Sequence, residues 1–276
     1  MIAAILGAAV GLVLGLTGAG GSILAVPLLM AGLGWTLPQA APVALLAVCA
    51  ATTFGTLAAW DVTHVRYRAA LLMGLGAVVT APLGLLAAQR WPLPLLTSLF
   101  TAVLVLVALR MIVQARRAPA EAAIVRASVA GDELPAGGPL VRLNERGRIR
   151  WTGPALATVA GIGAATGFLA GLLGVGGGFV IVPALRAASE LSIHSVVATS
   201  LMAIALISGV AVVGALVQGV QLHWLQSLPF VAGALGGMVA GRRLAPRIAG
   251  PRLQQGFAGL MLLAAAALAA RTAGLF

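Results

Sequence analysis

The chain has 276 residues, of which 61% are hydrophobic and 8% charged, and its mean hydropathy is +1.09. No water-soluble fold could cover that balance with polar surface, so the composition excludes a soluble domain and indicates a polytopic membrane protein. The net charge of +11 comes from 17 basic residues; all are Arg and lie almost wholly between the apolar stretches, which fits positive-inside topology rather than nucleic-acid binding.

The first element lacks a basic n-region, and its apolar sequence returns later in the chain where no signal peptide can stand, so it is read as mature structure. It carries the phrase GLTGAGGSILAVP, Gly15 to Pro27. Apolar stretches long enough to cross about 30 Å of hydrocarbon as helices follow at 42–59, 69–89, 93–109, 153–173, 196–217, 224–241 and 253–270. Strands alternating in polarity are absent, which argues against a barrel. Trp35, Trp60, Trp91, Trp151 and Trp224 all fall at the ends of these stretches, at the headgroup level that an amphipathic ring prefers. Cys49, the single cysteine, sits within a span and reads as a small core residue; it supplies neither a disulfide framework nor a metal cluster.

Residues 115–150 are polar, hold seven of the 17 Arg residues, and show no apolar periodicity, so they read as a solvated cytoplasmic linker between a first membrane repeat, 1–114, and a second, 151–276. The second repeat opens on GLLGVGGGFVIVP, Gly171 to Pro183. At an offset of 156, Gly7–Leu29 and Gly163–Leu185 share 12 of 23 residues. At 157, Gly84 meets Gly241, Pro94 meets Pro251, Leu96 meets Leu253 and Phe100 meets Phe257. The halves are therefore sequence repeats.

The charge of matched loops indicates their relative orientation. Arg66 and Arg68 have no counterpart near 218–224, whereas the single Arg90 corresponds to a loop with Arg242, Arg243, Arg247 and Arg252. If the opening element of the second half dips in and returns, fifteen Arg lie inside and only Arg90 and Arg271 outside, as the positive-inside rule prefers. The expected fold is all-α, with inverted repeats of one re-entrant or broken Gly-rich helix plus three spans. Residues 115–150 and 242–252 should then share the cytoplasmic side. Single cysteines introduced at Ala136 and Ala249 should react alike with an impermeant thiol reagent, and opposite accessibility would reject the inverted arrangement.

A helix that stops at a Gly-rich break and restarts exposes backbone N–H groups and the positive end of a dipole, a ready anion site. Glycine permits backbone angles closed to other residues and leaves the amides open to a ligand. Broken helices at matching positions of two repeats mark a transporter's midplane substrate site. Gly18, Gly20, Gly21 and Ser22 are thus expected to face Gly174, Gly176, Gly177 and Gly178 across the repeat axis. The competing reading is close helix packing of the small-xxx-small kind. Pro27 and Pro183 lie too far along to be N1 residues, and are expected to kink the second half-helix or end it at the interface.

The paired G-x-x-G-x-G-G-[GS] followed by V-P-x-L, each opening a four-element half, and VATS at Val197–Ser200, resemble the sulfite exporter TauE/SafE family of membrane permeases over nearly the full chain. The resemblance implies a multi-pass protein of the bacterial inner membrane that exports sulfite, sulfoacetate or other small organosulfur or organic anions. The first half departs from the pattern, since Ala41–Ala44 reads APVA, with hydroxyls only at Thr52 and Thr53.

Thr199 and Ser200 suit sulfonate or sulfite oxygens as substrate ligands, with Thr52, Thr53, Ser208 and His194 as further lining candidates, although hydroxyls back-bonded to their own helix are commoner. His64 and His223 read as interface residues, and Asp61 and Glu190 as solvated pairs at membrane edges. No carboxylate lies well inside a span, which argues against a carboxylate proton relay. The expected partners are a small anion and the lipid bilayer, without nucleic acid, metal or cofactor; a homodimer is compatible with this organisation. No intramembrane acid pair, His cluster or Ser with a base stands at a spacing suited to an enzyme. The alternatives are a cation or metal carrier or channel, disfavoured by the lack of acidic rings and of thiolate or His clusters, and a non-transport membrane assembly factor.

Overall fold

The computed structural model describes residues 1–17, 20–58, 65–128, 141, 149–189, 191, 193–220, 224–248 and 251–272. Among them run ten α-helices: α1 (Ile2–Thr17), α2 (Ala25–Leu33), α3 (Leu37–Ala58), α4 (Tyr67–Arg90), α5 (Leu93–Ser128), α6 (Gly153–Leu173), α7 (Gly178–Ala188), α8 (Ile193–Val217), α9 (Trp224–Ile248) and α10 (Pro251–Thr272), with a 3-10 turn over Gly20–Leu24 between α1 and α2. Leu37–Ala58, Tyr67–Arg90, Leu93–Arg110, Gly153–Leu173 and Ser195–Val217 are long and apolar enough to cross a membrane. Leu71, Leu75, Leu83 and Leu263 are among the large apolar side chains left exposed, which suits a protein whose outer solvent is hydrocarbon.

Lipid supplies no hydrophobic drive for helix association, so close backbone approach must do that work. Gly7, Gly11 and Gly15 on α1 lie against Phe230, Ala234 and Met238 of α9, and Gly233, Gly237 and Gly241 on α9 lie in turn against Ala4, Ala8 and Leu12 of α1. A Cβ on Gly7 would fall 3.0 Å from Phe230 Cα, and one on Gly11 would fall 2.8 Å from Ala234 Cα. The counterpart ladder on α6, Gly163, Gly167 and Gly171, lies against Met73, Ala77 and Ala81 of α4. In both pairs the residue numbers rise together, so the helices are parallel. The opening helix of each half thus packs on the third long helix of the other half.

Within each half the opening helix is followed by a return. Gly21 lies back against Val13 and Leu14, and Gly32 against Leu6, so α2 folds antiparallel along α1. Gly177 likewise turns back onto Thr166 of α6. The N–H of Val141, in the stretch between the halves, donates to Ala188 O at 2.9 Å, placing the end of α7 beside the segment that precedes α6. The α3 and α8 helices cross antiparallel, with Cys49 Sγ 3.5 Å from Ala205 O, a pair 156 residues apart. Gly74 meets Leu206 and Gly214 meets Pro82, so α4 and α8 run parallel. With α3 following α2 after three residues, α1 and α3 run one way while α4, α6 and α8 run the other.

Three local details bear on the sequence expectations. The α5 helix continues to Ser128, well into the stretch read as linker, because Ala, Arg and Glu there are good helix formers whatever their polarity. Val141 is fully buried and tied to α7, so that stretch is not uniformly solvated. Neither proline ends its helix: Pro27 is the third residue of α2, where the helix needs no N–H donor, and α7 runs on from Pro183 to Ala188.

Candidate functional site

The two Gly-rich breaks have different backbones. In the second, α6 ends on Gly174 at φ +73°, whose N–H donates to Ala170 O, and Gly176 and Gly177 follow at φ +63° and +73°. Three left-handed residues in four positions are open to glycine at little cost. The sharp turn they make lets α7 start at Gly178; Val180 and Ile181 N–H donate to Gly177 O at 3.0 and 3.2 Å, so of the first turn only the amides of Gly178 and Phe179 are left unclaimed by the helix itself. In the first break, Gly20 to Leu24 form a 3-10 turn, and neither Gly21 nor Ser22 has positive φ. Thr17 explains part of the difference. Its hydroxyl donates to Val13 O at 2.8 Å and accepts from Gly21 N–H at 3.1 Å, so one amide of this break is already satisfied. The matching residue in the second half is Leu173, which offers no such partner.

Packing brings the breaks into one region. The 3-10 turn packs against α7, and Ser22 is fully buried in that turn. Gly174 lies against Ala41 of α3. A Cβ on Gly176 would stand 2.8 Å from Val48 Cγ1 and 2.9 Å from Ser208 Oγ. Gly18 lies outside the described residues.

The hydroxyls expected to line the site separate into three groups. Thr52 is fully buried, but its Oγ1 donates to Val48 O at 2.6 Å and is spent on its own helix. Thr53 is on the exposed side of α3. Thr199 is buried and accepts from Arg66 N–H at 3.0 Å, which anchors the segment before α4 to α8. Ser200 and Ser208 alone of this set are fully buried with an Oγ that has no hydrogen-bond partner. They stand eight residues apart on one face of α8, about 12 Å along its axis, and only Ser208 lies at the second break. His194 is the second residue of α8; Asp61, His64, Glu190 and His223 fall outside the described residues.

An unpartnered buried hydroxyl costs roughly 1–3 kcal/mol. Set beside open amides at a helix start, it completes a small cluster of neutral donors able to hydrogen-bond an anion. The sequence did contain a sign that Ser208 differs from its neighbours: it is the repeat counterpart of Thr52, at an offset of 156. Thr166 went unnoticed. It is fully buried beneath Gly177 and back-bonded to Ile162 O at 2.6 Å. Also unforeseen was Arg242, whose guanidinium donates to Gly55 O at the far end of α3.

Residues 3–268 match the profile of the family described as "Sulfite exporter TauE/SafE". Two proteins of Xylella fastidiosa, from strains Temecula1 / ATCC 700964 and 9a5c, are each 29% identical over 268 residues, covering 94% of this chain and 90% of theirs; both are named "Probable membrane transporter protein". No solved structure matches the chain.

Proposed function

We propose a substrate class and a binding mode for a chain that belongs to the sulfite exporter TauE/SafE family, a multi-pass membrane transporter: it exports small anions such as sulfite, sulfoacetate or related organosulfur and organic anions, held at the paired Gly-rich breaks. The observation that carries this reading is the buried, unpartnered Ser208 hydroxyl beside Gly176. A cation would find no negative group in that arrangement. An anion would accept from the hydroxyl and from the first amides of α7, and neutral donors release it more readily than a buried counter-charge would.

Two features support inverted repeats as the frame for this site. The opening helices pack crosswise onto the opposite half, and α1 and α6 run in opposite senses. Such a frame can present one central site to either side by rocking one half on the other. The breaks contribute unequally. The second, with its left-handed glycines and Ser208, supplies the principal donors; Gly20, Gly21 and Ser22 close the site from the facing turn, and Thr199 and Ser200 mark a second polar position toward the start of α8.

Flux into and out of proteoliposomes tests the reading. Sulfite, sulfoacetate, thiosulfate and a simple carboxylate should compete for one saturable pathway, and a protein that moves none of them contradicts it. With no carboxylate inside a span, efflux should also run on membrane potential alone, which contributes roughly 2.3 kcal/mol per charge per 100 mV. Efflux that requires a proton or sodium gradient would reject this uncoupled mechanism.

A further inference from the structure

A cavity of about 310 Å3 opens beside the second break, where the starts of α3 and α5 meet the ends of α4, α6 and α8. Leu45, Leu85, Trp91, Leu96 and Ala215 are among the residues of its largely apolar wall. Its side-chain amide, on Gln89, is engaged with Gln218 at 3.0 Å. At roughly 30 Å3 for each water-sized group, it holds about ten of them.

Its position relative to the donor cluster is specific. Ala41 both lines the cavity and lies against Gly174. On α8, Ser208 and Ala215 are seven residues apart and share a face, about 10 Å along the axis. On α3, Val48 touches Gly176 while Leu45, one turn earlier, lines the cavity. Along both helices the apolar chamber thus lies one to two turns from the unpartnered hydroxyl, which is not itself part of its wall. The repeat does not reproduce this chamber's chemistry, because the counterpart of Leu85, at an offset of 157, is Arg242, whose guanidinium is bound to Gly55 O.

We propose that the substrate is an amphipathic anion, with its charged head at Ser208 and Gly176 and an aliphatic tail lying in this cavity. This rests on the reading of the second break as an anion site. An anion as small as sulfite would leave the chamber unused, whereas a tail leaving the head toward Ala215 would be removed from water along its length.

A homologous series of n-alkanesulfonates, from methane- to octanesulfonate, measured by thermal stabilisation of the detergent-purified protein, tests the proposal. Affinity should rise about threefold to fourfold per methylene, the gain for burying a CH2 group, and level off once the cavity is filled. The n-alkanols of the same lengths, lacking the head, should stabilise far less. Ala215→Leu, which fills the cavity, should flatten the series while leaving methanesulfonate binding unchanged. Ala88→Leu, on the α4 wall, does the same if the first variant does not fold, and the wild-type series decides the matter without either. A flat series in a protein that still binds methanesulfonate overturns the tail site and leaves the anion site standing. Alkanols that match the sulfonates in slope overturn it too, because lipid or detergent tails then explain the response. Failure of every sulfonate to bind overturns the anion reading on which it rests.

Discussion

Gly7→Ala and Gly163→Ala should each lower stability by about 1–3 kcal/mol or more, the range for overpacking a close contact, with a visible fall in the yield of monodisperse protein. The reason is geometric. A methyl on Gly163 would sit 2.7 Å from Met73 C, and one on Gly7 would reach the carbonyl of Phe230. The obstacle in both cases is backbone, which cannot swing aside as a side chain end can, so α1 would have to separate from α9, or α6 from α4. Because each opening helix packs on the opposite half, this loosens the contact between repeats rather than one helix alone. Gly161 on α6 and Gly236 on α9 provide internal controls, since no atom lies within 4 Å of an added Cβ at either. Gly161→Ala and Gly236→Ala should be neutral or raise stability by as much as about 1 kcal/mol through helix propensity. Thermal unfolding of the four variants under one condition checks the pattern. Equal midpoints for Gly163→Ala and Gly161→Ala would mean that the helices are not held by close backbone contact.

The sequence made the helical architecture and the Gly-rich breaks legible, because both depend on one-dimensional signals. Apolar length marks a span, and the duplicated phrase repeats at fixed offset. The start of α6 was readable in the same way: Thr152 caps it by accepting from Ala155 N–H, with Pro154 in the first turn. What the sequence could not separate was two uses of identical glycines. Gly20 and Gly176 occupy matched positions, yet the first lies in a 3-10 turn and the second in a left-handed one. That choice is settled by Thr17 against Leu173 and by the contacts of each turn with other helices. Hydroxyl fate was equally hidden. Ser200, Ser208, Thr52 and Thr199 are all fully buried, and only three-dimensional placement decides which bonds to its own helix, which anchors another segment and which keeps a free oxygen. The apolar cavity had no signature at all, since its walls come from five helices of both halves.

Ser208→Ala should raise the half-saturating concentration of a transported anion about tenfold to a hundredfold, the equivalent of losing one hydrogen bond of about 1.5–3 kcal/mol to a charged group, while leaving the protein at least as stable as wild type. The two effects have one cause. With no ligand bound, the Ser208 oxygen is buried without a partner and burdens the fold; with an anion bound, it gains its bond. Removing the hydroxyl relieves the first and forfeits the second. A residue that served packing alone would behave differently, losing stability and leaving half-saturation unmoved. Gly176→Ala is a less informative probe, because φ +63° adds backbone strain to the contacts with Val48 and Ser208 and a folding defect would mask the binding effect. Thr52→Val is the better companion. Its hydroxyl is already committed to Val48 O, so the change should affect flux little. Flux and thermal stability measured side by side on Ser208→Ala and Thr52→Val therefore separate a ligand-binding hydroxyl from its back-bonded repeat counterpart. If Ser208→Ala transports every tested anion with wild-type half-saturation, the second Gly-rich break is a structural turn and the donor cluster lies elsewhere.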